Sequence, residues 1–214
     1  MCAKAVALAE RPEGMPKTSD FQIVDIESND PADGEIQVKN ICMSVDPYMR
    51  GRMVDRKSYV PPFQIGEPLT GGAIGKVTKS AHPDFKEGDF VSSHWGWRDG
   101  FTARAEGIER LGEIVAPASE YLGAIGMPGM TAYAGLLEVG ALKDGETVFV
   151  SGAAGAVGSI VGQIAKLKNC HVIGSAGNDE KVELLTKELG FDSEFNCNDG
   201  DLLGHLRELA PEGI

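Results

Sequence analysis

No CxxC pair, no surplus of basic residues and no long apolar run occurs in this sequence, and each absence removes a class of protein. The four cysteines, Cys2, Cys42, Cys170 and Cys197, are scattered along the chain. Neither a zinc ribbon nor a disulfide framework is indicated, and reduced thiols in a cytoplasmic protein are expected. Lys and Arg total 20 against 32 Asp and Glu, a formal net charge of -12. Such a chain repels a phosphate backbone and an anionic bilayer surface, so neither nucleic acid nor membrane is an expected partner. No stretch approaches the roughly 18 apolar residues of a membrane helix. The opening MCAKAVALAERPEG lacks the basic start and long apolar segment of a secretory leader.

What is present changes texture near Pro117. Up to about that point glycine and proline punctuate short alternating runs, such as Glu35 to Val38, Gly72 to Val77 and Asp89 to Ser93. They predict short strands joined by turns, in a small barrel or sandwich with almost no helical periodicity. After it, YLGAIGMPGMTAYAGLLEVGAL carries helical stretches. Then ETVFVSG, HVIGSAG and SEFNC read as strands, alternating with the helices AVGSIVGQIAKLK, NDEKVELLTKELG and DGDLLGHLREL. A βαβαβα series makes a doubly wound parallel sheet. The fold class is therefore α/β, with residues 1–120 as a β-rich domain and 121–214 as a partial Rossmann domain. Three strands are half of the usual dinucleotide-binding sheet, so the expectation is the front part of a longer protein.

The loop VSGAAGAVGS, residues 150–159, raises a sharper question. Against the G-x-G-x-x-G fingerprint it places Ala153, Gly155 and Gly158, with alanine at the first position. Its context is right: the buried strand around Val148 to Val150 precedes it, and a helix with Val157, Ile160, Val161, Ile164 and Leu167 on one face follows. Gly155 lets the backbone approach a pyrophosphate, Gly158 lets helix and strand pack closely, and the N–H groups of residues 156 to 158 face the anion. The competing reading is a phosphate-free turn. At the end of the second strand NAD-binding proteins carry an acidic residue. Here Ser175, Ala176 and Gly177 stand there, followed by Lys181. Small residues and a cation suit a 2′-phosphate, although Lys181 also reads as an ordinary exposed helix lysine. Asp179 and Glu180 suit the first turn of a helix better than a ribose.

Several motifs in order, VDPYMRGRM at 45–53, GMPGMTAYAGLLEVG at 126–140 and GAVGSIVGQIAKLK at 155–168, resemble the zinc-free branch of the medium-chain dehydrogenase/reductase family. That branch includes prostaglandin reductases, plant alkenal double-bond reductases and bacterial curcumin reductase-type enzymes. The resemblance implies a GroES-like first domain and NADPH/NADP+ as cofactor. It implies a pyrophosphate cradle of Gly155, Ala156, Val157 and Gly158, with Lys181 on the 2′-phosphate and Met127 and Thr131 near the nicotinamide half. Where zinc-dependent relatives carry a cysteine and a Gly-His-Glu, this chain has Met43 and IGEP (65–68), and the four-cysteine lobe is missing. No metal is expected. Relatives often end the third strand in FNY, whereas this chain has FNC, which puts the contact of Cys197 with the nucleotide in question.

The activity implied is hydride transfer from NADPH to the β-carbon of an enal or enone, a small-molecule substrate. The developing enolate is steadied by hydroxyl donors. Tyr48 is the candidate for the substrate pocket, with a turn-anchoring role as the alternative. The family's tyrosine near the enolate is expected beyond Ile214, which leaves the catalytic residue unknown. Arg50 and Arg52 read as pocket rim or solvated charge, with solvated charge favoured; Trp95 and Trp97 as the wall of an apolar pocket or as core, with core favoured; and His82 and His94 as surface or core histidines rather than acids or bases. A quinone reductase of the same family and an inactive binding partner remain as alternatives, and relatives suggest a homodimer.

Overall fold

The computed structural model describes residues 2–214 and leaves out the side chain of Cys2, so the reading of that cysteine falls outside the described residues. The chain divides into a first unit that ends at Leu122 and a second, Gly123–Ile214.

Alternation of side chains builds the first unit. β1 (Cys2–Leu8) pairs antiparallel with β2 (Phe21–Glu27). A second antiparallel sheet takes β3 (Glu35–Met43), β4 (Ala73–Ser80), β5 (Phe90–Ser93), β6 (Gly100–Arg104) and β7 (Glu109–Gly112) in the order β6-β3-β4-β5-β7. In its register Val38 lies opposite both Val77 and Phe101. With Ile36, Val91 and Ile108 these residues form a buried cluster, each large side chain contributing roughly 1.5–3 kcal/mol by leaving water. Buried Gln37 is satisfied: its Oε1 accepts from the Thr78 hydroxyl at 3.1 Å and its Nε2 donates to the Asn29 carbonyl at 3.2 Å. Such pairing removes the penalty of a buried amide.

Among the described residues, one short α-helix and two 3-10 turns interrupt the strands that the sequence pattern predicts. α1 (Tyr48–Arg52) begins where Pro47, at φ -55, presets the helical backbone. The Met49 N–H then bonds the Asp46 carbonyl at 3.0 Å. Met49 is carried into a cluster with Leu8, Met53, Phe63 and Leu69. Five residues are too few to register as periodicity.

The second unit is a parallel sheet of β8 (Thr147–Val150), β9 (His171–Ala176) and β10 (Ser193–Asn196) in the order β10-β9-β8. The helices α2 (Met127–Tyr133), α3 (Gly158–Leu167), α4 (Asp179–Lys187) and α5 (Leu202–Leu209) complete it, and a π-helical turn, Ala134–Val139, extends α2. Central β9 is buried at every position after His171, as expected of a strand covered on both faces.

α3 turns a different face to the sheet from the one its bulky residues predict. Gly158, Gly162 and Ala165 are the buried positions, while Leu167 is 85% exposed. A Cβ on Gly162 would overlap the Phe191 ring. The helix therefore approaches on its smallest residues, and Phe191 fills the space they leave.

Asp192, next to Phe191, ties three segments together. Its carboxylate accepts from the Lys166 ammonium at 2.6 and 2.8 Å and from the Val172 N–H at 2.7 Å. Burial alone raises its pKa, but these two donors and the nearby charges outweigh that effect and hold it below the ordinary 3.8. A carboxyl depressed in the folded state contributes stability that is complete above the unfolded pKa and is lost as pH falls through the folded one. Asp192→Asn is therefore expected to lower the thermal midpoint near neutral pH and to flatten its decline below about pH 4. Parallel melting curves for the two proteins, pH by pH, check this; equal slopes would contradict it.

Among the described residues no helix is long and apolar enough to cross a membrane.

Candidate functional site

The glycine-rich loop leaves β8 at Val150 and enters α3 at Gly158. The left-handed backbone of its turn sits on Gly152, at φ +59, one residue before the alanine. Ala153 needs no glycine conformation. It is fully buried, and its N–H bonds the Ser175 carbonyl at 2.8 Å. The Gly155 N–H closes a turn on the Gly152 carbonyl at 2.9 Å, and Ser159 bonds back to Gly155 at 3.0 Å. Among the described residues, the N–H groups of Ala156, Val157 and Gly158 have no partner within the chain. Gly155 and Ala156 are exposed. Three successive free donors at the N-terminus of a ten-residue helix are an arrangement suited to an anion. Gly158 is sterically required, since a Cβ there would lie 2.5 Å from the Gly152 carbonyl oxygen and 2.8 Å from the Ala153 Cα.

The bond from Ala153 to Ser175 brings this loop beside the end of β9. No carboxylate occupies that strand end: Ser175 and Ala176 are buried and Gly177 is exposed. Asn178 caps α4, its Oδ1 accepting the Lys181 N–H at 2.9 Å. The Lys181 side chain is exposed, with no hydrogen bond or ion pair among the described residues. Cys197, just after β10, is exposed, and its N–H bonds the Ala176 carbonyl at 3.0 Å. Gly155, Ala156, Val157, Gly158, Lys181 and Cys197 thus gather at the carboxyl ends of the parallel strands, where open α/β sheets hold ligands. Met127, 76% exposed, and Thr131 stand one helical turn apart on α2, which packs on α3.

Tyr48 belongs to the first unit, at the start of α1, and is 41% exposed. Burial of its ring, followed by the charge of Asp46, raises its hydroxyl above the ordinary 10.0. It therefore stays protonated throughout the physiological range. Arg50 and Arg52 are not the solvated charges expected. Arg50 donates to the carbonyls of Pro12 and Gly14, at 3.2 and 2.7 Å. Arg52 donates to the Pro61 carbonyl at 3.0 Å and lies over the Phe63 ring at 4.0 Å. Each pins a loop whose carbonyls no sequence spacing reveals. Trp97 stacks on Phe21 at 6.5 Å. Trp95 is more exposed than a core residue, lying between Phe101 at 5.4 Å and the Arg98 guanidinium at 5.0 Å. The His82 ring accepts the Asp84 N–H at 3.2 Å, and His94 is exposed.

The first unit offers poor zinc chemistry. Burial pushes the Cys42 thiol above its ordinary pKa, and the Met43 sulfur accepts the Trp97 N–H at 3.1 Å. Among the described residues no three His, Cys, Asp or Glu side chains converge on a point where a metal ion could be held.

Sequence reasoning missed three residues of the second unit. Gly152 supplies the left-handed turn, and its only signal is being one of two glycines ahead of Gly158. Asn196 and Asn198 clasp the β9–α4 turn, and being separated in sequence from what they touch they carry no local signal.

Residues 4–111 match the family described as the N-terminal domain of oxidoreductase, and residues 156–214 match one described as zinc-binding dehydrogenase. The chain is 45% identical, over 99% of its length, to the NADP(+)-dependent 2-alkenal reductase of Nicotiana tabacum. It is 42% identical, over 97% of its length, to the NADPH-dependent curcumin reductase of Escherichia coli. It spans 63% and 60% of the lengths of those two relatives. The crystal structure of CurA from Vibrio vulnificus in complex with NADPH superposes with a TM-score of 0.90 at 42% identity, over 99% of this chain and 63% of that one.

Proposed function

This chain belongs to the medium-chain dehydrogenase/reductase family of oxidoreductases, and from that premise we propose that it serves an NADPH-dependent reductase of enals and enones. In this reading residues 121–214 hold the nucleotide, residues 1–120 form the GroES-like substrate domain, and the enzyme is cytoplasmic and zinc-independent. The observation that carries it is the row of free N–H groups at Ala156, Val157 and Gly158 beside a strand end, Ser175 to Gly177, that carries no carboxylate, with Lys181 in the first turn of the helix that follows.

When bound, NADPH supplies a hydride, which in a conjugated carbonyl compound adds to the β-carbon while a proton completes the α-carbon. The chain's own contribution is binding and orientation. The three amides and the α3 dipole neutralise a pyrophosphate. The Lys181 ammonium meets a 2′-phosphate, while Met127 and Thr131 flank the nicotinamide half. Tyr48 lines the substrate side as a protonated hydroxyl. The substrate class rests on the 2-alkenal and curcumin reductases among the relatives.

Titration with NADPH and with NADH, read by nicotinamide fluorescence, tests the binding half. Lys181→Ala is expected to weaken NADPH by about 10- to 100-fold, the loss of one charge-assisted contact, and to leave NADH unchanged. Equal loss for both coenzymes would remove Lys181 from this role, and a wild-type chain that binds neither would end the proposal. NADPH consumption with a 2-alkenal and with a quinone tests the substrate half. Turnover of the quinone alone would point to a quinone reductase.

A further inference from the structure

The first turn of α4 carries a contradiction for a 2′-phosphate. Lys181 attracts it, but Asp179 stands two residues earlier, at the first position of the helix. An acidic side chain following the second strand is what NAD-binding sheets use to accept the ribose 2′-hydroxyl, and the same charge repels a phosphate there. In this chain the carboxylate is already engaged: Asp179 Oδ1 accepts from Asn196 Nδ2 at 2.7 Å.

The Asn196 amide has its orientation set from the other side. Its Oδ1 accepts the Asn198 N–H at 3.0 Å, which leaves Nδ2 as the atom facing Asp179. Asn198 Nδ2 in turn donates to the Gly177 carbonyl at 2.8 Å. Asn196 is the last residue of β10 and pairs with Ala176 of β9. The donor is thus mounted on the sheet, while the carboxylate sits on the helix above it. Asn178 holds the same helix end through the Lys181 N–H.

From this juxtaposition we infer that Asn196 is a positioning residue for coenzyme choice: it keeps Asp179 turned toward β10, so that Lys181 rather than Asp179 meets the nucleotide's ribose. The inference rests on the nucleotide site proposed above. Its signature is a change of opposite sign for the two coenzymes. A freed Asp179 repels a 2′-phosphate and offers an acceptor to a 2′-hydroxyl. Loss of general structure weakens both.

The experiment is a fluorescence titration of NADPH and NADH against the 214-residue chain and its Asn196→Ala, Asn196→Ser, Asp179→Asn and Asn196→Ala/Asp179→Asn variants, with apo thermal midpoints recorded alongside. Asn196→Ala is expected to weaken NADPH about tenfold and to strengthen NADH, the scale of one uncompensated charge near a partly solvated phosphate. Asn196→Ser, which is too short to reach the carboxylate, is expected to do the same and serves if the alanine variant fails to fold. Asp179→Asn alone keeps the preference for NADPH. Adding it to Asn196→Ala restores that preference, because no charge remains to be held. Parallel losses for both coenzymes, or a double variant no better than Asn196→Ala, would overturn the inference while leaving the nucleotide site standing. Failure of the wild-type chain to bind either coenzyme would overturn both.

Discussion

Gly158→Ala is expected to weaken nucleotide binding by roughly a hundredfold and to destabilise the second unit. The added Cβ would come within 2.5 Å of the Gly152 carbonyl oxygen, a backbone atom that cannot move without unwinding the left-handed turn. Relief requires α3 to slide away from β8, and overpacking of this kind costs about 1–3 kcal/mol. The same slide displaces the free N–H groups of Ala156 and Val157 from the path of the anion. Two charge-assisted hydrogen bonds lost at about 1.5 kcal/mol each correspond to roughly a hundredfold in affinity. Calorimetric titration with NADPH and urea unfolding of the apo chain measure the two effects separately. Unchanged affinity in a destabilised protein would show that this loop is a structural turn with no anion to hold.

Phe191→Ala should be the most destabilising single change in the second unit. The ring is buried at 4% exposure and fills the space left by two glycines, Gly162 of α3 and Gly174 of β9. At Gly174 a Cβ would lie 2.7 Å from the ring and 2.8 Å from Leu185. The two glycines have no side chain to fill the void, and the cost is about 3–5 kcal/mol. Gly162→Ala approaches the same contact from the other side by overlapping the ring. Pairing it with Phe191→Leu, which withdraws the ring edge, should recover part of the loss, as expected of residues that share one contact. Urea unfolding followed by far-ultraviolet circular dichroism reads the wild type, Phe191→Ala, Gly162→Ala, Phe191→Leu and the Gly162→Ala/Phe191→Leu pair. A strictly additive pair would mean that helix and ring do not meet.

The two results concern features that differ in how readable they were. Strand, loop and helix around Gly158 were legible because each is a local pattern: an apolar run at Val148 to Val150, a glycine cluster, then apolar residues at helical spacing. The strand end at Ser175 to Gly177 was legible for the same reason, since the missing carboxylate is a matter of reading along the chain. The packing face of α3 was misjudged because hydrophobicity marks what tends to be buried, whereas the approach distance is decided by what is small. Gly162 became meaningful only when Phe191, from a distant turn, was found in the space above it.

Arg50 and Arg52 teach the same lesson on the first unit. Charge alone assigns them to solvent, yet the carbonyls of Pro12, Gly14 and Pro61 draw them into loop-pinning contacts. The clasp of Asn196 on Asp179 joins side chains 17 residues apart across a strand and a helix.

By itself, then, the order of residues determined the α/β class, the glycine-rich strand-to-helix loop with its tolerated alanine and the absence of an acidic residue at the end of the second strand. All of these arise from interactions within a few positions of one another. The tertiary structure alone decided which helix face meets the sheet, which arginines are structural and which carboxylate near Lys181 is held. Those outcomes depend on distances between segments far apart in the chain, and such distances exist only once the core has closed.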